Sequence, residues 1–241
     1  MKIAIVDNRI PFEMERALTV RGYRVISLPA SPRLSSPIAS HPDMLIKLIG
    51  SEIVTTADYC EVAGAEISMI YDATRMRCHF TSDAHGERYP EDVIFNSLTL
   101  GSRIYARLES LSPYLKDLAL RMGFELRNVR QGYPACTTLK LSDKAVITAD
   151  EGMASALSRD GIRVYRIKSG GILLPPYEYG FIGGAAGVDN GIVYFLGDYK
   201  NHPSADIIED AVEREGLRAV SLTRSPLTDL GGILFAEPYL N

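Results

Sequence analysis

One pattern constrains this chain of 241 residues more than any other. A short lead-in is followed by a strand, a tight turn, a second strand, a helix and a closing strand. It is plainest over residues 133–167. There Tyr133 and Pro134 open a turn, an alternating strand runs to Leu141, and Ser142-Asp143-Lys144 reverses the chain. A second strand over residues 145–148 completes what alternation around a polar turn predicts, a β-hairpin. A helix over residues 151–159 follows, Gly161 ends it, and residues 162–167 form a third strand. The lead-ins HPDM (from His41), PEDV (Pro90), PACT (Pro134), YGFI (Tyr179) and LTDL (Leu227) recur about every 44 to 49 residues, a period that marks a repeated architecture. The last of them heads a first strand with no helix or closing strand after it. Residues 2–7, 12–20 and 23–28 supply a strand, a helix and a strand at the other end of the chain. The two ends are therefore expected to share a fifth unit and close a ring. Closure removes the exposed strand edges an open array has to cap. On this reading residues 1–241 form a single domain.

The other units follow the same order with local variations. Pro113 begins a helix that Gly123 ends, and residues 124–129 close that unit. Asn190-Gly191 is a strong hairpin turn, because both residues accept positive φ. Residues 205–215 form a helix and 218–222 its closing strand. In the unit that starts at His41, Gly64 argues against a helix over residues 59–65, and residues 66–71 read as a strand. Residues 72–90 read as a mobile loop, with His85 a candidate lid residue. The β-α-β opening also fits a nucleotide-binding fold, although it lacks the GxGxxG loop that cradles a pyrophosphate.

Hydrophobic residues make up 46% and charged residues 23%, which suits a globular protein. The formal charge of −4, with no basic run, argues against a nucleic-acid binder. No apolar stretch approaches the roughly 18 residues of a membrane helix. The first apolar run stops at Asp7, too soon for a signal sequence. Three cysteines, Cys60, Cys78 and Cys136, with no CxxC pattern give neither a disulfide framework nor a zinc site. They fit a reducing, cytoplasmic setting. No His, Cys and Asp set has metal-ligand spacing, and no cofactor is called for.

Five strand-strand-helix-strand units in a ring resemble the pentein fold of the guanidino-group-modifying enzymes. These include arginine deiminases, dimethylarginine dimethylaminohydrolases, agmatine deiminases and amidinotransferases. The TLKLSDKAVITAD hairpin is similar to the hairpins of that superfamily, and His41-Pro42-Asp43 to its catalytic His-x-Asp segment. The resemblance implies a five-bladed α/β propeller around a channel. It also implies a cysteine that attacks a guanidinium carbon, a histidine that moves protons, and carboxylates that hold a small cationic substrate. A planar cation calls for paired carboxylates, and a poor electrophile calls for a soft thiolate, best placed near a cation.

The equivalent lead-in positions here are Asp43, Asp92, Cys136, Phe181 and Asp229. By resemblance Cys136 is the nucleophile, His41 the acid/base, and Asp43, Asp92 and Asp229 the substrate-binding set. The His unit precedes the Cys unit by two, as in those enzymes. Their cysteine, however, sits in the last unit, where this chain has Asp229-Leu230-Gly231-Gly232, so the correspondence requires a rotated ring. Read from the residues alone, Cys136 also fits a buried core thiol and each aspartate a turn cap. A non-catalytic binding protein on the same fold is therefore a second expectation. Asp7 and Arg9 close the first strand and read as a surface ion pair in preference to a reach to the channel rim, and Gly183, Gly184 and Gly187 as points of close backbone approach.

Overall fold

The computed structural model describes residues 2–238. Strand β1 (Ile3–Asp7), helix α1 (Phe12–Val20) and strand β2 (Arg24–Leu28) come first. The next unit holds a helical turn α2 (Pro42–Leu45), β3 (Lys47–Ile49), β4 (Glu52–Thr56), α3 (Ala57–Thr74) and β5 (Arg77–Thr81). After it come β6 (Leu98–Leu100), β7 (Arg103–Ala106), α4 (Pro113–Arg121) and β8 (Glu125–Asn128). A second helical turn, α5 (Pro134–Thr137), leads into β9 (Thr138–Ser142), β10 (Ala145–Thr148), α6 (Glu151–Arg159) and β11 (Arg163–Arg166). A two-residue strand β12 (Ile172–Leu173) precedes β13 (Ala186–Asp189), β14 (Ile192–Phe195), α7 (Ala205–Arg214) and β15 (Arg218–Ser221). The short β16 (Leu227–Thr228), which pairs with β12, and β17 (Leu234–Ala236) complete the order.

Five three-stranded sheets result, and each obeys one rule: the middle strand is antiparallel to the first and parallel to the last. Two-residue turns can join only antiparallel neighbours, whereas a parallel pair needs a crossover helix between its strands. The turns are Gly50-Ser51, Gly101-Ser102, Asp143-Lys144 and Asn190-Gly191, the last with φ of 50° and 72° at its two residues. The fifth sheet joins the two ends of the chain as expected. Strand β17 lies antiparallel to β1, pairing Ile3 with Ala236, and β1 lies parallel to β2. That arrangement corrects the nucleotide-binding alternative. The β1-α1-β2 opening is parallel, but β1's other neighbour is an antiparallel strand from the far terminus, and the sheet stops there.

The middle strands are the core. Residues of β1, β4 and β10 are buried throughout, on both faces. Helices cover them with one apolar face each, such as Met153, Ala154 and Leu157 on α6 and Ile208, Ala211 and Val212 on α7. Full burial of one such large side chain is worth roughly 1.5–3 kcal/mol. Side chains from the first strands of all five sheets (Leu48, Leu98, Leu139, Val188 and Leu234) line one cavity of about 350 Å³. Among the described residues no helix is long and apolar enough to cross a membrane.

Two expectations fail in the unit that begins at His41. Residues 66–71 are not a strand but the second half of α3, which runs for 18 residues and kinks at Ala63. Its buried residues, Tyr59, Ala63, Ile67, Ile70 and Thr74, recur every three or four positions, so helical periodicity outweighs the weak local propensity around Gly64. The closing strand is β5, inside the stretch expected to be a mobile loop. It pairs in parallel with all five residues of β4.

Candidate active site

Proline sets the local geometry of two lead-ins. His41 and Tyr133 are N-cap residues of the one-turn helices α2 and α5, with Pro42 and Pro134 as the first helical residues. Proline fits that position because its φ is already helical and no N–H is needed there. Each turn then passes directly into the first strand of its sheet. This carries Asp43 and Cys136 inward, where both are buried.

Across 93 residues of sequence, the Cys136 thiol donates to Asp43 Oδ2 at 2.7 Å. Asn96 Nδ2 lies 3.1 Å from Cys136 Sγ and 3.2 Å from Asp43 Oδ2, and its Oδ1 accepts the Ala135 N–H at 2.9 Å. Asn96 thus holds the thiol, the carboxylate and the backbone of α5 together. Sequence reasoning passed over it. It stands two residues before β6, just as Cys136 stands two before β9. The sequence repeat places the lead-in of that unit at Asp92. Aligning the Gly101-Ser102 turn under Gly50-Ser51 moves it toward Asn96.

The other half of the site is built from β1 and the segment between β16 and β17. His41 is 1% exposed, with Nε2 3.9 Å from Asp7 Oδ2 and Nδ1 3.9 Å from Asp229 Oδ1. Neither ring nitrogen has a hydrogen-bond partner. Asp229 is fixed by backbone: Oδ2 accepts the Phe181 N–H at 2.8 Å and Oδ1 the Gly231 N–H at 3.1 Å. The expected surface pair of Asp7 and Arg9 is corrected. Asp7 is wholly buried beside His41, and Arg9 Nε and Nη2 reach its two oxygens at 2.9 and 2.5 Å. His85 is corrected too. It is buried, with Nε2 2.7 Å from the Met44 carbonyl, so it props α2 and is no part of a lid.

Glycines let these segments meet. A Cβ on Gly184 would stand 2.0 Å from Asp229 Oδ1. One on Gly231 would stand 2.4 Å from the His41 Cβ, and Gly231 has φ +69° besides. The close approach expected of Gly183 and Gly184 is therefore observed, at the carbonyls of α5 and at Asp229 respectively.

Burial governs the charges. It pushes Asp43 up to about 7 against the opposing hydrogen bonds from Cys136 and Asn96, with the Asp229 charge adding to the rise. It pushes Asp229 up to about 6 against the N–H groups of Phe181 and Gly231. The Cys136 thiol is raised well above its ordinary value by burial and then by the Asp43 and Asp229 carboxylates. Burial lowers His41 to about 4. The Asp7 carboxylate opposes this and the Arg9 guanidinium adds to it. Burial therefore favours the thiol form of Cys136 and the neutral imidazole of His41, and holds the Asp43 carboxyl well above the usual carboxylate range. The thiolate beside a cation expected from sequence is not what this pocket holds. The thiol faces acids.

A cavity of about 370 Å³ opens over this floor. It is lined by His41, Cys136 and Asp229 below, with aromatic walls from Tyr133, Tyr177, Tyr179 and Phe181. Of the five residues expected to act, the structure brings four together: His41, Asp43, Cys136 and Asp229. Asp92 is joined only through Tyr133, whose hydroxyl donates to its Oδ2 at 2.6 Å, while its other oxygen is buried and unpartnered. Among the described residues no group of three or more His, Cys, Asp or Glu side chains is arranged around a metal position.

Comparison with known proteins gives a family and a fold. A family profile described as "Family of unknown function (DUF6873)" matches residues 5–234. No curated protein matches the chain by sequence. Among solved structures, a dimethylarginine dimethylaminohydrolase from Pseudomonas aeruginosa, complexed with citrulline, superposes with TM-score 0.57 at 12% identity over 92% of this chain and 91% of that one. An amidinotransferase of saxitoxin biosynthesis from Microseira wollei gives 0.57 at 12% identity over 90% and 87%. An agmatine deiminase from C. jejuni gives 0.57 at 8% identity over 98% and 82%. The chain has the mixed α/β fold of these proteins.

Proposed function

We propose that this chain, which belongs to the family of unknown function DUF6873, is a five-bladed pentein propeller whose Cys136 attacks a guanidino or amidino compound. One observation carries the reading. Cys136, His41 and Asp229 come from three separate segments and line one small-molecule cavity, with Asp43 bonded to the Cys136 thiol behind it. The five first strands around a common cavity support the propeller. The likeness in fold to enzymes named for guanidino substrates supports the chemistry.

In this reading a small cationic substrate enters between the aromatic walls, and its guanidinium pairs with Asp229 and Asp43. Asp92, behind Tyr133, completes the acidic set. The arriving cation stabilises the ionised forms of Cys136, Asp43 and Asp229, which burial disfavours, so it supplies the positive charge the resting thiol lacks. The Cys136 proton passes to Asp43 Oδ2, the sulfur bonds to the guanidinium carbon, and a C–N bond breaks as the departing amine takes up that proton. Neutral His41 then accepts a proton from the water that attacks the adduct. The C–S bond breaks, His41 returns its proton to the sulfur to restore the thiol, and a ureido product leaves with its hydroxyl proton lost to solvent. An amine in place of that water gives amidine transfer. No cofactor enters, and a free-thiol mechanism suits a reducing, cytoplasmic setting.

The test is a screen of guanidino compounds for ureido product or amidine transfer, with mass spectrometry of the protein. Loss of a general acid/base costs about 10²–10⁴-fold in rate, so His41→Ala is expected to accumulate an adduct on Cys136, and Cys136→Ala to form none. Turnover by Cys136→Ala equal to the natural protein's would end the proposal. A second reading, a non-catalytic binding protein on this fold, rests on the fully buried, acid-bonded thiol. Tight binding of a guanidine with no adduct in either variant would favour it.

A further inference from the structure

The cavity mouth says more about the substrate than its floor does. The cavity beneath it is lined by aromatic and apolar side chains, by His41 and Cys136, and by two carboxylates, Glu178 and Asp229. None is lysine or arginine. Arg9, whose charge acts on Asp229 and His41, is already engaged. Four of its five N–H groups are taken up: two by Asp7 and two by the carbonyls of Ser36 and Pro37. Lys47 does not line the cavity, and its Nζ donates to the Ser97 carbonyl at 2.6 Å.

The walls favour positive charge. Tyr133 and Phe181 are stacked, with ring centroids 6.5 Å apart, and Tyr179 meets Phe181 edge-on at 6.4 Å. Tyr177 and Tyr179 stand 53% and 37% exposed on the rim, and Glu178 lies between them. The chain reverses there, with the Tyr177 N–H donating to the Leu174 carbonyl at 2.8 Å, which holds this acidic and aromatic tip over the opening. Aromatic faces attract cations. A substrate carboxylate would meet the Glu178 charge with no cation to answer it.

Building on the guanidine reading above, we propose that the substrate is a guanidino amine, cationic at both ends and without a carboxylate. Its guanidinium lies on the floor and its amine at Glu178 and the tyrosines. The test compares butyl chains that carry guanidine at one end and an amine, a methyl or a carboxylate at the other. Binding to the full-length protein is measured by calorimetry. The amine is expected to bind up to about five-fold more tightly than the methyl compound, the upper reach of one exposed ion pair, and the carboxylate most weakly. Glu178→Gln is expected to bring the amine and methyl compounds within about two-fold of each other. A carboxylate that binds as well as the amine, or an amine preference unmoved by Glu178→Gln, overturns the inference and leaves the guanidine reading standing. Failure of all three compounds to bind removes the guanidine reading itself, and this inference with it.

Discussion

At the scale of the residue, the site runs on burial. Asp43 is a carboxyl whose folded-state value lies near 7, above its ordinary 3.8. A raised value of this kind favours the folded state fully below the unfolded value and loses that contribution as pH rises through about 7. His41 works in the opposite sense. Its value is lowered to about 4, so its contribution is present above the ordinary 6.5 and is lost as pH falls through about 4. Asp43→Asn is therefore expected to raise the melting temperature relative to the natural protein at pH 8 and to leave it unchanged near pH 3. Thermal melts across that range check it, and equal shifts at both ends would contradict the burial argument. Asn96→Ala removes the donor to both Cys136 and Asp43 and leaves the buried Ala135 N–H without its acceptor. A loss of about 1–3 kcal/mol is expected in denaturant unfolding, with no change in m-value.

At the scale of the element, each unit is one hairpin, one crossover helix and one parallel strand, and the helices are held mainly by a single apolar face. Leu157 on α6 is fully buried against the sheet of β9, β10 and β11. Leu157→Ala is expected to cost about 2–5 kcal/mol, read from the shift in denaturant midpoint. The loop between β16 and β17 is held differently, by close approach. In Gly184→Ala the new methyl group would meet the Asp229 carboxylate. Moving that carboxylate disturbs its bonds to Phe181 and Gly231, so a stability loss of about 1–3 kcal/mol is expected. Weaker guanidine binding should accompany it. Full binding in a destabilised Gly184→Ala protein would separate Asp229 from the substrate.

At the scale of the whole molecule, the two chain termini are one structural unit. Strand β17 covers the edge of β1, and the loop before it carries Asp229 and Gly231 to His41. Ending the chain at residue 233 is expected to expose the β1 edge, favour self-association and lower the melting temperature. Size-exclusion chromatography and a thermal melt read both effects. A truncated protein that stays monomeric with an unchanged melt would show that β17 contributes little to closing the sheet.

The sequence by itself determined the repeat, its turns and the sharing of a unit between the ends. Alternation, Gly-Ser and Asn-Gly turns and Pro-led lead-ins are local signals, and local chemistry fixes them. It also marked Asp43, Asp92, Cys136 and Asp229, because they stand at matching lead-ins of the repeat, and His41 by the resemblance of its segment to a catalytic one. It misjudged α3, where the buried face is spaced along 18 residues and no short window reveals it. The tertiary structure alone decided the rest. Asn96 joins the site through the register of β6, Asp7 is buried by a helical turn from another unit, and the thiol faces carboxylates instead of a cation. Burial and pairing between distant segments set those facts. Both arise only when segments far apart in the chain have packed together.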